Sequence, residues 1–348
     1  MQQRIARVAT AGGAEVAYAT VGPGTGRAVV YVSGWLGHLE RAWELPEERA
    51  FYEGLAQGTR LVRYDRVGCG LSTVPSSLNP STARPPSLAF ELEQLDAVVA
   101  TLGSEPVDLV GVSLGALVAV AWAAAHPGSV RRLVLYGGWA TGEQVASPGV
   151  REHLLGLVES HWGLGSDVLT DVFAPDAGAA LRARIGRYQR DSSTAATARA
   201  LLGLSYELDV QGLLGRVRAP TLVLHREHDR AAPAAQAEAL AAGIPDARLV
   251  LLPGRSHLPS VGDPAAVVAE IRRFLGLRAP RTGGGMLTAR QREVAALIGD
   301  GLTNRQIAER LGIEERSAEG HVERILQRLG FRSRAQIAAW HAAQPDRW

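Results

Sequence analysis

The chain has 348 residues, of which 46% are hydrophobic, and this allows one large domain with a substantial core and one small domain. A formal net charge of +2 excludes a strong overall field toward nucleic acid or a membrane surface, so such binding would depend on local residues. The single cysteine, Cys69, excludes an internal disulfide, and the first residues lack an apolar signal region, so we expect a cytoplasmic protein.

The first part of the sequence alternates predicted strands and helices. Residues 4–9 and 14–21 alternate apolar and polar residues around a Gly-Gly turn, which predicts a β-hairpin. Further patterns predict strands at 28–32, 60–64, 107–112 and 130–136, and helices at 87–102 and 117–125.

The pattern changes at residues 139–218, where no strand is evident. Helices are predicted there at 150–160, 179–190 and 195–204. Strand and helix then alternate again at 221–225, 234–242, 247–252 and 264–275. The sequence therefore predicts an α/β domain over 1–278, with a mostly parallel sheet covered on both faces. The helical insertion would lie at the strand ends where ligands bind, so we interpret it as a lid.

Residues 109–125 form an uncharged run close to the length of a membrane span. A Gly-x-Ser-x-Gly sequence lies inside the run and would bend the chain there. We therefore favour a buried strand followed by a buried helix, and we expect no membrane association.

The Gly-x-Ser-x-Gly sequence places Ser113 between a predicted strand and a predicted helix, flanked by Gly111 and Gly115. This pattern is typical of a sharp turn that exposes a serine hydroxyl above a sheet. The turn brings backbone segments close together, which explains the glycines. The sequence therefore predicts a nucleophile at Ser113.

A serine needs an adjacent base and a group that orients the base. Asp229 and His257 each follow a predicted strand, and the chain order Ser, Asp, His is typical of one class of serine hydrolase. We expect His257 to accept the Ser113 proton and Asp229 to fix its tautomer. The backbone N–H groups of Leu114 and Trp35 are the expected oxyanion donors.

Other side chains near this site allow more than one interpretation. Pocket-lining residues are predicted at Gly34, His38, Trp139 and Trp162. His38 could equally have a packing or solvent role. The alternative for the two tryptophans is that they pack the lid against the core and do not line the pocket. His225 and His228 lack a third ligand nearby in sequence, so we expect no metal site, and we expect no cofactor.

Residues 1–278 resemble the α/β-hydrolase family over their whole length. The resemblance is carried by SGWLG (33–37), DRVGCGLS (65–72), GVSLG (111–115), HREHDRAAP (225–233) and PGRSH (253–257). It implies a serine hydrolase acting on ester or lactone bonds.

A Pro/Gly/Arg-rich linker is predicted at 279–285, followed by a helical domain at 286–348. Capping-box patterns predict three helix starts, at Thr288, Thr303 and Ser333. Glycines that suit helix ends follow at Gly301, Gly312 and Gly330.

This domain resembles the LuxR-type helix-turn-helix family. The resemblance is carried by Leu287-Thr288, Arg290, Glu293-Val294, Gly301-Leu302-Thr303-Asn304, Ile307-Ala308, Leu311, Ile313, Ser317, His321-Val322, Ile325-Leu326 and Leu329-Gly330. A helix over about 315–329 would enter the major groove of double-stranded DNA. The predicted DNA contacts are Asn304, Arg305, Arg316, Ser317, Gly320, His321, Arg324 and Arg328. A helical dimerisation tail is the alternative, since the arginine surplus here is small.

Two functions follow from these patterns. In one, the chain is a transcriptional regulator whose hydrolase domain binds a small apolar ester or lactone, with or without hydrolysing it. In the other, it is a working esterase or lactonase whose DNA-binding domain serves autoregulation. One helix-turn-helix unit would cover one half-site of DNA, so we expect a homodimer on a two-fold site. The family resemblance also implies RNA polymerase as a partner.

Overall fold

The computed structural model describes residues 1–23, 26–73, 85–277, 287, 289–329, 331 and 333–342. The side chains of residues 327, 328 and 342 are outside this description. The chain divides into two compact units, Met1–Arg278 and Ala279–Trp348. The predicted linker, Thr288 and Gly330 lie outside the described residues, as does the side chain of Arg328.

The large unit is built on one eight-stranded sheet. Its strands are β1 Gln3–Ala9, β2 Glu15–Val21, β3 Ala28–Val32, β4 Arg60–Tyr64, β5 Val107–Val112, β6 Val130–Tyr136, β7 Thr221–Arg226 and β8 Ala247–Leu252. Their order is β1-β2-β4-β3-β5-β6-β7-β8. The β1–β2 and β2–β4 pairs are antiparallel, and all other neighbours in the sheet are parallel. This is the mostly parallel α/β sheet that the sequence predicts.

Helices of the large unit connect the strands. They are α1 Leu39–Glu44, α2 Pro46–Ala56, α3 Leu88–Ala100, α4 Leu114–Ala125, α5 Pro148–Ser160, α6 Trp162–Phe173, α7 Ala179–Ser192, α8 Ala195–Glu207, α9 Gln211–Leu214, α10 Ala234–Gly243 and α11 Pro264–Leu275. Helices α5 to α9 form the insertion between β6 and β7. Helices α1, α2, α6 and α9 were not identified by the sequence patterns.

The core of the large unit has two layers because side chains alternate along each strand. On β3, Val30 and Val32 pack into one hydrophobic cluster, whereas Val29 and Tyr31 pack into another. All six residues of β5 are buried. Burial on both faces explains why the central strands are mostly apolar, with Asp108 as the one charged residue of β5.

The uncharged run at 109–125 is divided between β5 and α4, as the buried interpretation predicts. All but the last residue of α4 are buried. In the described part of the chain, no helix is both long and apolar enough to cross a membrane.

The small unit contains four described helices around their own hydrophobic cluster. They are α12 Ala289–Gly299, α13 Asn304–Leu311, α14 Glu315–Leu329 and α15 Arg334–Ala342. The predicted capping box at α13 is present, with Thr303 and Gln306 bonding reciprocally. Gly312 ends α13 in the left-handed conformation, at φ 63°. These local signals therefore fix the turn between α13 and α14.

Candidate functional site

Ser113 lies at the turn between β5 and α4, where the sheet edge meets a helix N-terminus. Its φ of 56° and ψ of −127° make it the sole non-glycine residue with positive φ in the described part of the chain. A side chain at this φ is strained, and such strain is concentrated at functional sites.

The two glycines beside Ser113 permit this turn. A Cβ at Gly111 would lie 2.5 Å from the Gly115 carbonyl oxygen, and a Cβ at Gly115 would lie 2.2 Å from the Val32 oxygen. Backbone atoms cannot move aside cheaply, so the turn excludes side chains at both positions. The close backbone contacts that the sequence pattern predicted for this turn are therefore present in the structure.

The structure brings Ser113, His257 and Asp229 together from three separate loops. His257 Nε2 lies 2.8 Å from Ser113 Oγ, and His257 Nδ1 lies 2.7 Å from Asp229 Oδ2. All three side chains are at least nine-tenths buried. The distances are hydrogen-bond distances, so one imidazole can bridge hydroxyl and carboxylate.

Asp229 is held by more than His257. Its Oδ1 accepts hydrogen bonds from the N–H groups of Ala231, at 2.8 Å, and Ala232, at 3.3 Å. Burial alone would raise the pKa of Asp229, but the charge of His257 and its hydrogen bond hold that pKa below its usual value. The carboxylate therefore stays ionised despite its burial.

A second histidine, His225, is fully buried beside Asp229. Its Nε2 lies 2.9 Å from the Ala232 carbonyl oxygen and 3.7 Å from Asp229 Oδ2. Burial lowers the pKa of His225, so the imidazole is neutral and Nε2–H donates to the carbonyl. The sequence patterns did not identify this contact of His225 with the Asp229 loop.

The loop after β3 lies directly against the serine. A Cβ at Gly34 would be 3.5 Å from Ser113 Cβ. The buried Arg66 guanidinium donates to the carbonyl oxygens of Ser33 and Gly34, and it pairs with buried Glu91 at 2.7 Å. Arg66 thus fixes this loop at the serine, and the sequence patterns did not identify that role.

Two cavities meet at Ser113 and His257. We call the first the tyrosine cavity. Its lining includes Tyr31, Gly34, Trp35, Glu47, Glu48, Tyr52, Phe173, Tyr188, Gln189 and Ser260. Except for Gly34 and Trp35, these residues come from segments without a recognisable motif.

We call the second the aliphatic cavity. Its lining includes Trp35, Trp139, Val145, Val150, Leu154, Leu169, Val172, Phe173, Leu202, Tyr206 and Arg230. Most of these residues lie in the insertion, which is therefore one wall of the site. Arg230 is exposed, so its charge lies at the rim.

Two predicted pocket residues lie elsewhere. His38 lines neither cavity in the described structure; it caps α1, where its Nδ1 accepts a hydrogen bond from Arg41 N–H at 3.4 Å. Trp162 packs edge-on against Trp35, with ring centroids 6.0 Å apart, and its indole donates to the Ser193 carbonyl. Trp162 therefore supports the wall instead of lining it.

The predicted recognition helix, α14, has one buried face and one exposed face. Ala318, Val322 and Ile325 are buried in the small unit's core. Of the predicted contacts on α14, Arg316, Ser317 and Arg324 are exposed, and Gly320 and His321 are partly exposed. Helical spacing puts Arg316, Gly320 and Arg324 in one row.

An adjacent row on α14 is acidic, since exposed Glu315, Glu319 and Glu323 have the same four-residue spacing. This row limits the cationic surface to one side of the helix. His321 lies at the edge of the arginine row, and burial, followed by the charges of Arg324 and Arg290, lowers its pKa. Its imidazole is therefore neutral at pH 7.

Two predicted contacts lie on α13. Arg305 is exposed and pairs with Glu309 on its own helix, at 3.4 Å. Asn304 accepts a hydrogen bond from Arg334 at 2.7 Å, and Arg334 also donates to the Leu302 carbonyl. Asn304 therefore links α13 to α15, a structural role that its sequence position did not reveal.

Comparison with known proteins agrees with this division of the chain. The model of the "Alpha/beta hydrolase family" matches residues 29–271, and that of "Bacterial regulatory proteins, luxR family" matches residues 285–341. The chain is 30% identical over 264 residues to a putative carbamate hydrolase RutD of Variovorax paradoxus, covering 74% of this chain and 95% of that protein.

Two further similarities concern one unit each. The chain is 36% identical over 76 residues to the DNA-binding transcriptional activator DevR/DosR of Mycobacterium tuberculosis, covering 22% of this chain and 34% of that protein. The fold matches a hydrolase structure from Pseudomonas aeruginosa with a TM-score of 0.67 and 24% identity, over 78% of this chain and 98% of the other. The chain thus belongs to the alpha/beta hydrolase family and carries a C-terminal DNA-binding domain of the luxR family.

Proposed function

We propose that the chain is a transcriptional regulator whose hydrolase domain binds and cleaves a small ester or lactone with a largely apolar body. The observation that supports it best is the pair of short contacts that join Ser113, His257 and Asp229 where two cavities meet. A receptor that only bound its ligand would not need all three groups in hydrogen-bond contact.

In the proposed reaction, Ser113 Oγ attacks the carbonyl carbon while His257 Nε2 takes the hydroxyl proton. His257 then gives that proton to the leaving alkoxide, and an acyl-serine ester remains. Water, deprotonated by the same imidazole, releases the acid and restores the serine. Asp229 holds Nδ1–H and stabilises the imidazolium.

The negative charge on the carbonyl oxygen needs donors during this reaction. We assign them to the backbone N–H groups of Leu114, at the first position of α4, and of Trp35. The position of Leu114 favours this role because the first N–H groups of a helix have no partner within the helix. The contact of Gly34 with Ser113 supports the second donor.

For the small unit, we propose that α14 lies in the major groove and that Arg316 contacts a base edge, with Ser317, Gly320, His321 and Arg324 beside it. Arg305 would contact phosphate. A homodimer would place two such helices on a two-fold site, and RNA polymerase is the proposed downstream partner.

Covalent labelling tests the chemical part. A fluorophosphonate probe should label the wild-type protein and fail to label Ser113→Ala, whereas the exposed Ser160→Ala variant should label normally. Absence of labelling in the wild type, or labelling that survives Ser113→Ala, would contradict the proposed nucleophile.

The regulatory part requires a ligand effect on DNA binding. A ligand that changes the affinity of full-length Ser113→Ala for DNA would establish regulation without turnover. If wild-type protein turns over esters and no bound substrate changes DNA affinity, the alternative is favoured. In that alternative the chain is a working esterase or lactonase whose DNA-binding domain serves autoregulation.

A further inference from the structure

The tyrosine cavity is lined by acidic side chains, which the binding of a purely apolar ligand would not require. Apart from His257, the charged side chains that line it in the described structure are Glu47 and Glu48. The only charged residue of the aliphatic cavity's rim, among those described, is the cation Arg230, again apart from His257. The charged side chains of the two cavities beside Ser113 therefore have opposite signs.

Glu48 has no ion pair among the described residues. Its Oε1 accepts a hydrogen bond from the Ser260 hydroxyl, which is neutral. Glu47 is different, because its Oε1 lies 2.6 Å from Arg184 Nη2, but its Oε2 is buried and has no hydrogen-bond partner in the part of the chain that the structure describes. A buried carboxylate oxygen without a donor is costly, and a ligand can remove that cost.

Gln189 gives an independent indication of the same polarity. It lines the tyrosine cavity and is only 3% exposed. Its amide nitrogen donates to the Ser166 carbonyl and to Thr170 Oγ1, so the orientation of the amide is set. Gln189 Oε1 is then left as a buried acceptor without a partner among the residues that the structure describes. The unpartnered polar atoms of this cavity are therefore acceptors.

Aromatic rings complete the lining. Tyr31 and Tyr52 pack edge to face at 5.4 Å, and Tyr188 lies beside them. Burial, and after it the charge of Glu48, raises the pKa of Tyr31 and Tyr52 well above the usual value, so both hydroxyls stay neutral. Arg63 lies over one face of the Tyr52 ring at 3.8 Å. It lines a small adjoining cavity that shares Tyr31, Tyr52 and Tyr188 with the tyrosine cavity, but it does not line the tyrosine cavity itself. Aromatic faces near a carboxylate favour a cation.

We propose that the part of the ligand that occupies the tyrosine cavity ends in a cationic nitrogen with N–H donors, an ammonium or a guanidinium. Glu48 pairs with the charge, Glu47 Oε2 and Gln189 Oε1 accept its hydrogen bonds, and the tyrosine rings enclose it. The inference rests on the proposed function, because it names the substrate class of the same site: an ester with an apolar body and one cationic end.

Binding to full-length Ser113→Ala tests the inference without turnover. The probes are two pairs of equal shape: methyl 5-guanidinopentanoate with methyl 5-ureidopentanoate, and 4-guanidinobutyl acetate with 4-ureidobutyl acetate. The first pair carries the variable group on the acyl side of the ester, and the second pair carries it on the alcohol side. In isothermal titration calorimetry, the guanidino ligand of at least one pair should bind about tenfold more tightly than its ureido partner.

The Glu48→Gln substitution, added to Ser113→Ala, should reduce that preference to about threefold or less, since it removes the charge and keeps the shape. The matched control is Glu238→Gln, which makes the same change at an exposed site on α10 and should leave the preference intact. Equal affinity within both pairs, or a preference that survives Glu48→Gln, would overturn the inference.

The proposed function fails separately from this inference. A wild-type serine that is labelled, together with equal affinities, would retain the chemistry and reject the cationic ligand. A charge preference without labelling would retain the cationic ligand and reject the chemistry.

Discussion

The catalytic candidate and the DNA-binding candidate are built in opposite ways. Ser113, Asp229 and His257 are far apart in sequence, buried, and joined by two short contacts. The contacts predicted on α14 lie within one exposed helical face. A buried convergent site depends on the position of each atom, whereas an exposed helical face distributes its contacts. Single substitutions should therefore have large effects on the first and small effects on the second.

The largest expected effect is at Asp229. In Asp229→Asn, the amide can donate to His257 Nδ1, which then carries no proton, so Nε2–H faces Ser113 and cannot accept its proton. We expect kcat for p-nitrophenyl butyrate to fall about 10⁴-fold. The exposed Asp246→Asn should keep wild-type kcat, and an Asp229→Asn enzyme within tenfold of wild type would contradict the assigned role.

The turn at Ser113 should be the next most sensitive point. Gly115→Ala places a Cβ 2.2 Å from the Val32 oxygen, and we expect it to lower the free energy of unfolding by about 3 kcal/mol. Gly149→Ala is the matched control, because no atom of the described residues, beyond its own helix, lies within 4 Å of its added Cβ. Urea unfolding of both variants tests this, and equal midpoints would show that the turn is not sterically restricted.

A smaller effect concerns buried Asp65, whose carboxylate accepts hydrogen bonds from the Leu39 and Leu71 N–H groups. Burial raises its pKa to about 6, above the unfolded-state value of about 3.9. The folded state therefore keeps a proton that the unfolded state releases, so stability falls as pH rises from about 4 to about 6.

Asp65→Asn should remove that part of the pH dependence, roughly 2 kcal/mol. Urea unfolding at pH 4 and pH 7 measures it, with Asp246→Asn as the exposed control. An unchanged difference between the two pH values would mean that Asp65 is ionised in the folded state over this range.

The smallest expected effect is on α14. Arg316→Ala should weaken binding to a DNA site obtained by in vitro selection by about 10- to 30-fold and relax its preference at one base pair. Arg310→Ala removes the same charge from an exposed position of α13 outside the predicted contacts and should change affinity less. If Arg316→Ala and His321→Ala both leave the preference unaltered, the groove assignment is wrong.

The contrast between a site assembled from distant residues and a site on one helix also explains how much could be predicted from the sequence. Strand bounds at 28–32, 60–64 and 130–136 agree with the structure because apolar runs there end in turn residues. The helix at 315–329 was predicted because its apolar period and the turn at Gly312 are local signals. Local patterns therefore gave the elements and, through motif spacing, the residues at the strand ends.

The cavities could not be predicted in this way. Tyr31, Tyr52 and Tyr188 come from β3, α2 and α7, and no spacing in the sequence relates them. His38 directly follows the 33–37 motif but turns away to cap a helix. The pairing of Arg66 with Glu91 likewise depends on tertiary packing. Which side chains line a pocket is decided by the fold, so local patterns carry little information about the ligand.

The two backbone amides at Asp229 Oδ1 have a consequence for the location of charge during the proposed reaction. Moving the Nδ1 proton onto the carboxylate would create a neutral acid against donors that favour an anion, and this is energetically uphill. The positive charge should consequently remain on the imidazole ring throughout each acylation step, with the carboxylate acting as a fixed counter-ion and never as a proton carrier.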